Sequence, residues 1–474
     1  MSTVSNLSNS DADAERTSDR FDAIVIGAGF AGVTAARELR AQGRRTLLLE
    51  ARDRLGGRTW TDTFLGEQIE LGGTWVADSQ PHVWREIMRY KIPLVADAGP
   101  DSVILPTLDG FRSFNPAEAF ARQSKLFTPL FDGSREYFER PFEPFFRLDL
   151  LRKIDNCSMR DRLDQLNYSP EDELVLTGMT GGLSGGSSKR GALTQLAQWW
   201  ALAGWNFDGW NNLNTYRPKA GVIALLTAML DDASPELRLN SPVTAVADGG
   251  KLAHVTVHTG ERFSAPVVIV AVPVNVWKTI KFTPALPKAY VEASTTGIGV
   301  PNATKFWLHI RGPRDRFIAQ PPEGYPIGLL ISHSELDDGQ LVIGFSLSAS
   351  LDFSDRGQVE DAVRQVIPEV KVVALRAQSW GRDKFSLGGW SCKQPHQLTE
   401  LLREIQHPQG RIRFATSDIA SGWSGYMDGA IESGLRAAGS GVITSDWDDA
   451  RKIMEPFAAP AISGSPYRSI WPFG

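Results

Sequence analysis

Three glycines, Gly27, Gly29 and Gly32, stand in GxGxxG spacing between an apolar run, Ala23 to Ile26, and a stretch in which Ala35, Ala36 and Leu39 recur at helical intervals. A strand, a tight turn and a helix in that order can wrap a diphosphate. Gly27 permits the turn, Gly29 lets the backbone approach the pyrophosphate beside Phe30 and Ala31, and Gly32 lets the helix pack on the strand. The helix N-terminus adds unpaired N–H groups and a partial positive charge. Glu50 closes a second apolar run, Thr46 to Leu49, where an acid can accept hydrogen bonds from a ribose diol. The chemistry implied is dinucleotide binding.

Ala51 and Arg52 open the next stretch, ARDRLGGRTW, in which Arg54 and Arg58 flank Gly56 and Gly57. Guanidinium groups there can reach a diphosphate, and the glycines let the backbone pass close to a flat ring. Taken alone, this stretch also reads as a solvated charged turn. A second glycine pair, Gly72 and Gly73, follows and leads into Thr74 and Trp75.

The span Asp22 to Trp75 resembles the flavin-dependent amine oxidase family, which includes monoamine, polyamine and L-amino-acid oxidases and histone lysine demethylases. Three later segments share the resemblance. RLNSPVTAV (238–246) is similar to the adenine-side strand, where Val243 offers its backbone. Ala303-Thr304-Lys305-Phe306 resembles the strand whose lysine faces flavin N5 through a water. FATSDIASGWSGYMDGAIESGLRAA (414–438) is similar to the C-terminal flavin motif, and it would place Asp418, Trp423, Tyr426, Met427 and Ala430 beside the cofactor. LLLEAR, QPHVW and FSLGGW look closest to bacterial nicotine and pseudooxynicotine oxidases.

The resemblance implies FAD, and three departures refine it. Where monoamine oxidases attach the flavin to a cysteine before an aromatic, this chain has Gly389 before Trp390, so the FAD is expected to be noncovalent. Bacterial nicotine oxidases lack the second aromatic of the amine cage; here it is Tyr426, which counts against nicotine itself. Asp418 replaces the family's glutamate and keeps a carboxylate for a ribityl hydroxyl.

Trp390 and Tyr426 would then form a slot for the amine, with Lys305 holding water at the flavin. Aromatic faces attract a cationic amine by about 0.5–2 kcal/mol. The reacting amine must be neutral, however, and neutralising an alkylamine of pKa about 10 at pH 7 costs roughly 4 kcal/mol. A dry pocket short of carboxylates is therefore required. In QWWALAGWNFDGW (198–210), Trp199 and Trp200 read equally as core or site, while Trp205 and Phe207 fall where the helical pattern breaks and are expected in the substrate pocket. GGLSGGSSKRG (181–191) reads as a flexible loop of the substrate domain. No histidine spacing suggests a metal site, and no nucleophile elbow is present.

These elements need a frame. The chain has 474 residues, a net charge of −5 and 42% hydrophobic residues, which suits an ordinary globular protein with no nucleic-acid-binding charge excess. Its two cysteines, Cys157 and Cys392, form no CxxC pair and suggest a reducing, cytoplasmic setting. No apolar run is long enough to span a membrane.

The fold class expected is α/β: a Rossmann-type FAD-binding domain (21–80, 220–290, 395–450) interleaved with a substrate domain of mixed sheet and helices (81–219, 291–394). A disordered leader (1–20) and a C-terminal tail (451–474) flank them. The function implied is oxidation of a mainly apolar amine, with O2 as acceptor and a homodimer as the assembly. The alternatives are a dehydrogenase of nicotine-like alkaloids that uses a protein carrier, an L-amino-acid oxidase using Arg217 or Arg311, and a pyridine-nucleotide-dependent reductase. The last needs a second dinucleotide loop, and Gly297-Ile298-Gly299 lacks the third glycine.

Overall fold

The computed structural model describes residues 21–440; the leader, residues 441–450 and the tail lie outside the described residues. Strands Ala23–Ile26 and Thr46–Leu49 are wholly buried four-residue apolar runs, as expected of parallel strands covered on both faces. They lie at the centre of a five-stranded parallel sheet, ordered Ile412–Phe414, Val268–Val270, Ala23–Ile26, Thr46–Leu49, Glu236–Arg238. Helix Phe30–Ala41 packs between helices Met427–Ala438 and Val222–Ala233. Gly32 is what lets it approach the sheet: a Cβ there would lie 1.8 Å from the Gly27 carbonyl oxygen.

A four-stranded sheet follows (Arg262–Ala265, Ala253–Val257, Val243–Asp248, Lys281–Thr283). The segment 238–246, read as one strand, is divided between the two sheets. Asn240, at φ 53°, and Pro242 break it, while the N–H groups of Asn240 and Ser241 donate to the carbonyls of Arg52 and Glu50 at 2.9 and 2.8 Å.

The third sheet has seven strands, in the order Lys371–Ser379, Thr304–Arg311, Gly339–Ser346, Leu329–Leu336, Phe317–Ala319, Ser102–Thr107, Gly110–Phe114. It draws on residues both before and after the four-stranded sheet, so the chain passes between the parallel and mixed sheets more than once. Strand Thr304–Arg311 is paired on both edges, which buries Lys305 opposite Phe345 and Gln378.

Helix Leu193–Leu202 is buried at every residue. Trp200 stacks on Phe131 at 5.2 Å, and Phe127 meets Trp200, Phe207 and Trp210, so much of the tryptophan-rich segment is core. The supposed loop 181–191 is helical to Leu183, and the Ser188 hydroxyl donates to Glu323 at 3.0 Å. Among the described residues no helix is long and apolar enough to cross a membrane.

Candidate active site

One cavity of about 770 Å3 runs from the glycine loop to the tryptophan-rich helices, within the range of small-molecule sites. At one end lie Gly27, Gly29, Phe30 and Ala31. Helix Phe30–Ala41 has no side-chain cap and no acid in its first turn, so its leading N–H groups are left for an anion. The Glu50 carboxylate is fixed by the N–H of Ala28 at 2.8 Å and of Arg52 at 2.9 Å, beside Ala51 and Arg52 on the wall. Val243 lines the same end, and Gly57 faces Gly29, each leaving the other room.

Further in, Gly73, Thr74 and Trp75 form the wall beside Lys305, whose ammonium donates to the Gly72 carbonyl at 3.0 Å and to the Thr74 hydroxyl. It also lies over the Trp75 and Phe345 rings, at 5.1 and 5.4 Å. Burial pulls its pKa down to about 7, against the opposing charges of Glu70 and Asp97. Met427 and Ala430 bring a second helix start to the wall, again without a side-chain cap.

Trp390 and Tyr426 close the inner part. The Trp390 indole N–H donates to the Leu183 carbonyl at 3.0 Å. Tyr426 is braced edge-on by Trp199 at 5.5 Å and Trp423 at 5.1 Å. Their neighbours in sequence, Ser391 and Gly425, are packed together: a Cβ on Gly425 would come within 3.0 Å of Ser391. That contact ties together the backbones that carry the two aromatic residues, both of which line the cavity.

Four residues stand elsewhere than the sequence suggested. Asp418 is fully buried off the cavity wall, where it pairs with Arg58 at 2.7 Å and accepts the Val274 N–H at 2.9 Å; Thr416 and Ser417 face the cavity instead. Trp423 lies behind Tyr426, its indole N–H spent on the Ser79 carbonyl at 2.8 Å. Trp205 borders a separate surface pocket with Arg135 over its ring at 4.8 Å, and Phe207 is core against Phe127. The helices turn Trp199 and Trp210 to the cavity instead.

A family model described as flavin containing amine oxidoreductase matches residues 30–440. The chain belongs to that family. It is 36% identical over 424 residues to the nicotine dehydrogenase of Pseudomonas putida, covering 88% of this chain and 87% of that one. It is 30% identical over 430 residues to the (S)-6-hydroxynicotine oxidase of Paenarthrobacter nicotinovorans, covering 87% and 97%. Among solved structures, cyclohexylamine oxidase from Brevibacterium oxydans superposes with a TM-score of 0.72 at 18% identity, covering 91% of this chain and 99% of that one. A putrescine oxidase superposes at 0.75 and 21%, covering 89% and 98%.

As a flavin amine oxidoreductase the protein takes FAD, and its cavity fits that cofactor. The open helix starts, the fixed Glu50 carboxylate and the facing glycines Gly29 and Gly57 form a cradle for a diphosphate with a ribose beyond it. Neither cysteine lines the cavity, and burial drives the Cys392 thiol up to about 11. A side chain at Gly389 would bring its Cβ to 2.5 Å from that of Ala303, so the position before Trp390 has no room for a linking cysteine.

Arg58 ties the cofactor end together: it donates to the Gly389 carbonyl at 2.8 Å and the Ser417 hydroxyl at 2.8 Å while paired with Asp418. Sequence reasoning missed Gln123, Gln320, Asn211 and Asn214, which also line the cavity. No local motif marks them.

Proposed function

We propose that the protein oxidises a mainly apolar amine at its α-carbon, releases an imine that water hydrolyses to a carbonyl compound, and uses O2 as the electron acceptor. The single observation behind this reading is that Trp390, Tyr426 and Lys305 line one cavity on which Glu50, at the nucleotide end, is the one carboxylate among the described residues. FAD, when bound, supplies the acceptor for the α-hydrogen and its electron pair.

The chain's own residues prepare the amine. The apolar wall strips water from an entering ammonium and disfavours its charged form, and among the described residues no carboxylate on the wall beside the aromatic pair restores it. Trp390 and Tyr426 flank the neutral amine and restrict its rotation. Lys305 holds a proton at Nζ, placed by Gly72 and Thr74, at a position to pass it to water or reduced oxygen. FAD-binding residues would be drawn from 21–80, 220–290 and 395–450, and the amine pocket from 81–219 and 291–394 together with Tyr426.

The test is an anaerobic panel of arylalkylamines, cycloalkylamines, secondary and tertiary alkaloid amines, diamines and amino acids, read by bleaching of bound flavin. If no amine bleaches it, the reading fails. A second reading, a dehydrogenase, is favoured by the nicotine dehydrogenase and pseudooxynicotine dehydrogenase among its relatives. Peroxide formed in air, measured against reduction of an added cytochrome, separates the two. Amino acids are disfavoured as substrates: Arg217 is paired with Asp97 at 2.6 Å, Arg311 with Asp338, and neither lines the cavity.

A further inference from the structure

We propose that the side-by-side carboxamides of Gln123 and Gln320 select an amine whose far end carries a neutral group with both a hydrogen-bond acceptor and a donor, of the carboxamide or lactam class. This rests on the reading of the cavity as an amine site.

Gln123 lies on helix Pro116–Phe127 and is 4% exposed; Gln320 follows strand Phe317–Ala319, its own N–H fixed by the Ile104 carbonyl at 3.0 Å. The Gln123 amide nitrogen donates to the Gln320 side-chain oxygen at 2.8 Å. Among the described residues that bond leaves the Gln123 oxygen and the Gln320 amide nitrogen without a partner; neither atom is fully buried, and both residues line the cavity. Rotating both carboxamides by 180° exchanges the roles, so in either orientation the pair shows one free donor and one free acceptor.

Their position sets the reach of the ligand. Across the mixed sheet, Lys305 pairs with Phe345, Phe345 with Leu329, and Leu330 with Ala319, so Gln320 continues the row toward Leu329. Three strand spacings separate it from Lys305, roughly 14 Å. An amine held near Lys305 needs a spacer of several atoms to bring its other end to the pair.

Charge argues for a neutral end. Glu50, Arg52, Arg58 and Lys384 line the cavity with the nucleotide-end residues, and no ionisable side chain on the wall comes from the segments carrying the glutamines. Glu323, three residues past Gln320, is taken by the Ser188 hydroxyl at 3.0 Å and is not on the wall. A second ammonium or a carboxylate would be buried unpaired there, and a plain hydrocarbon would strand the two free carboxamide groups.

The test uses the FAD-loaded protein and three matched probes, 6-aminohexanamide, 6-methylheptylamine and 1,6-diaminohexane. Binding is titrated by the flavin difference spectrum, and flavin bleaching is followed in the same anaerobic cell. Gln320→Leu should cut the preference for the amide over the hydrocarbon by about tenfold to hundredfold. A ratio unchanged within about twofold overturns the proposal, as does failure of the amide to bind. Should Gln320→Leu not fold, Gln123→Glu serves instead: the new carboxylate should raise diamine affinity about tenfold, and no rise overturns the proposal. Binding without bleaching in any probe would instead sink the amine oxidation reading, while the affinity ratio still reports on the glutamines.

Discussion

Gly425 lies against Ser391 so closely that a Cβ on it would sit 3.0 Å from the Ser391 oxygens, and its φ of +88° is one that side chains resist. Because Trp390 precedes Ser391 and Tyr426 follows Gly425, this contact links the backbones that carry the two rings. Gly425→Ala should cost about 1–2 kcal/mol of stability and push the two rings apart. The expected outcome is a Tm lowered by a few degrees and a kcat/KM lowered by more than about tenfold. An undiminished kcat/KM in the folded variant would show that the spacing of the rings does not matter to turnover.

Lys305 should give the return of electrons its pH dependence. With its pKa lowered to about 7 by burial, the ammonium is charged below that pH and loses its proton as pH rises through it. A cation stabilises developing negative charge on oxygen, so flavin reoxidation should slow as pH rises through about 7. Lys305→Met should be slow and independent of pH, about tenfold or more below the wild type at pH 6 and converging with it as pH rises above 7, with amine binding little changed. Stopped-flow mixing of reduced enzyme with oxygenated buffer from pH 6 to 9 checks both statements; an identical profile in the variant removes Lys305 from the step.

Asp418 is expected to act through Arg58. Asp418→Asn removes the charge from a buried pair that holds Gly389 and Ser417 in place, and should cost about 3 kcal/mol. FAD affinity should fall with it. Thr416→Val, on the cavity wall, should weaken FAD binding with much less loss of stability. Denaturant melts and fluorescence titration with FAD distinguish the two; equal effects on both readouts would return Asp418 to a direct role.

Noncovalent FAD predicts a simple result. Acid-precipitated protein should leave its flavin in the supernatant, and a yellow pellet would contradict it. Gly389→Ala should lower both Tm and flavin content, because the added methyl meets Ala303 and shifts the carbonyl that Arg58 holds.

Much of the cofactor end was legible in the sequence because each signal there is local. Gly27, Gly29 and Gly32 have their meaning within one turn of chain, and Glu50 ends the strand that follows. Lys305 is conspicuous as a charge in an apolar strand, and Trp390 and Tyr426 lie in short recognisable motifs. Which side chains face the cavity was decided only by tertiary packing. Trp199, Trp205 and Phe207 lie within nine residues of one another, and helical periodicity says which of them share a face but not what covers that face. Phe127 and Phe131 take Phe207 and Trp200 into the core, and the turn at Trp205 carries its ring to another surface.

Asp418 had the chemistry for a sugar hydroxyl, yet the Arg58 guanidinium, 360 positions earlier in the chain, claims its carboxylate, because a buried charge is held by its nearest partner. Gln123 and Gln320, 197 residues apart, have no pattern in sequence at all. They become a pair only when the mixed sheet and the helix beside it close over the same cavity. The sequence alone therefore determined the cofactor and the class of chemistry, while the tertiary structure decided which groups meet the far end of the amine, because that wall is assembled from segments that touch only in the folded chain.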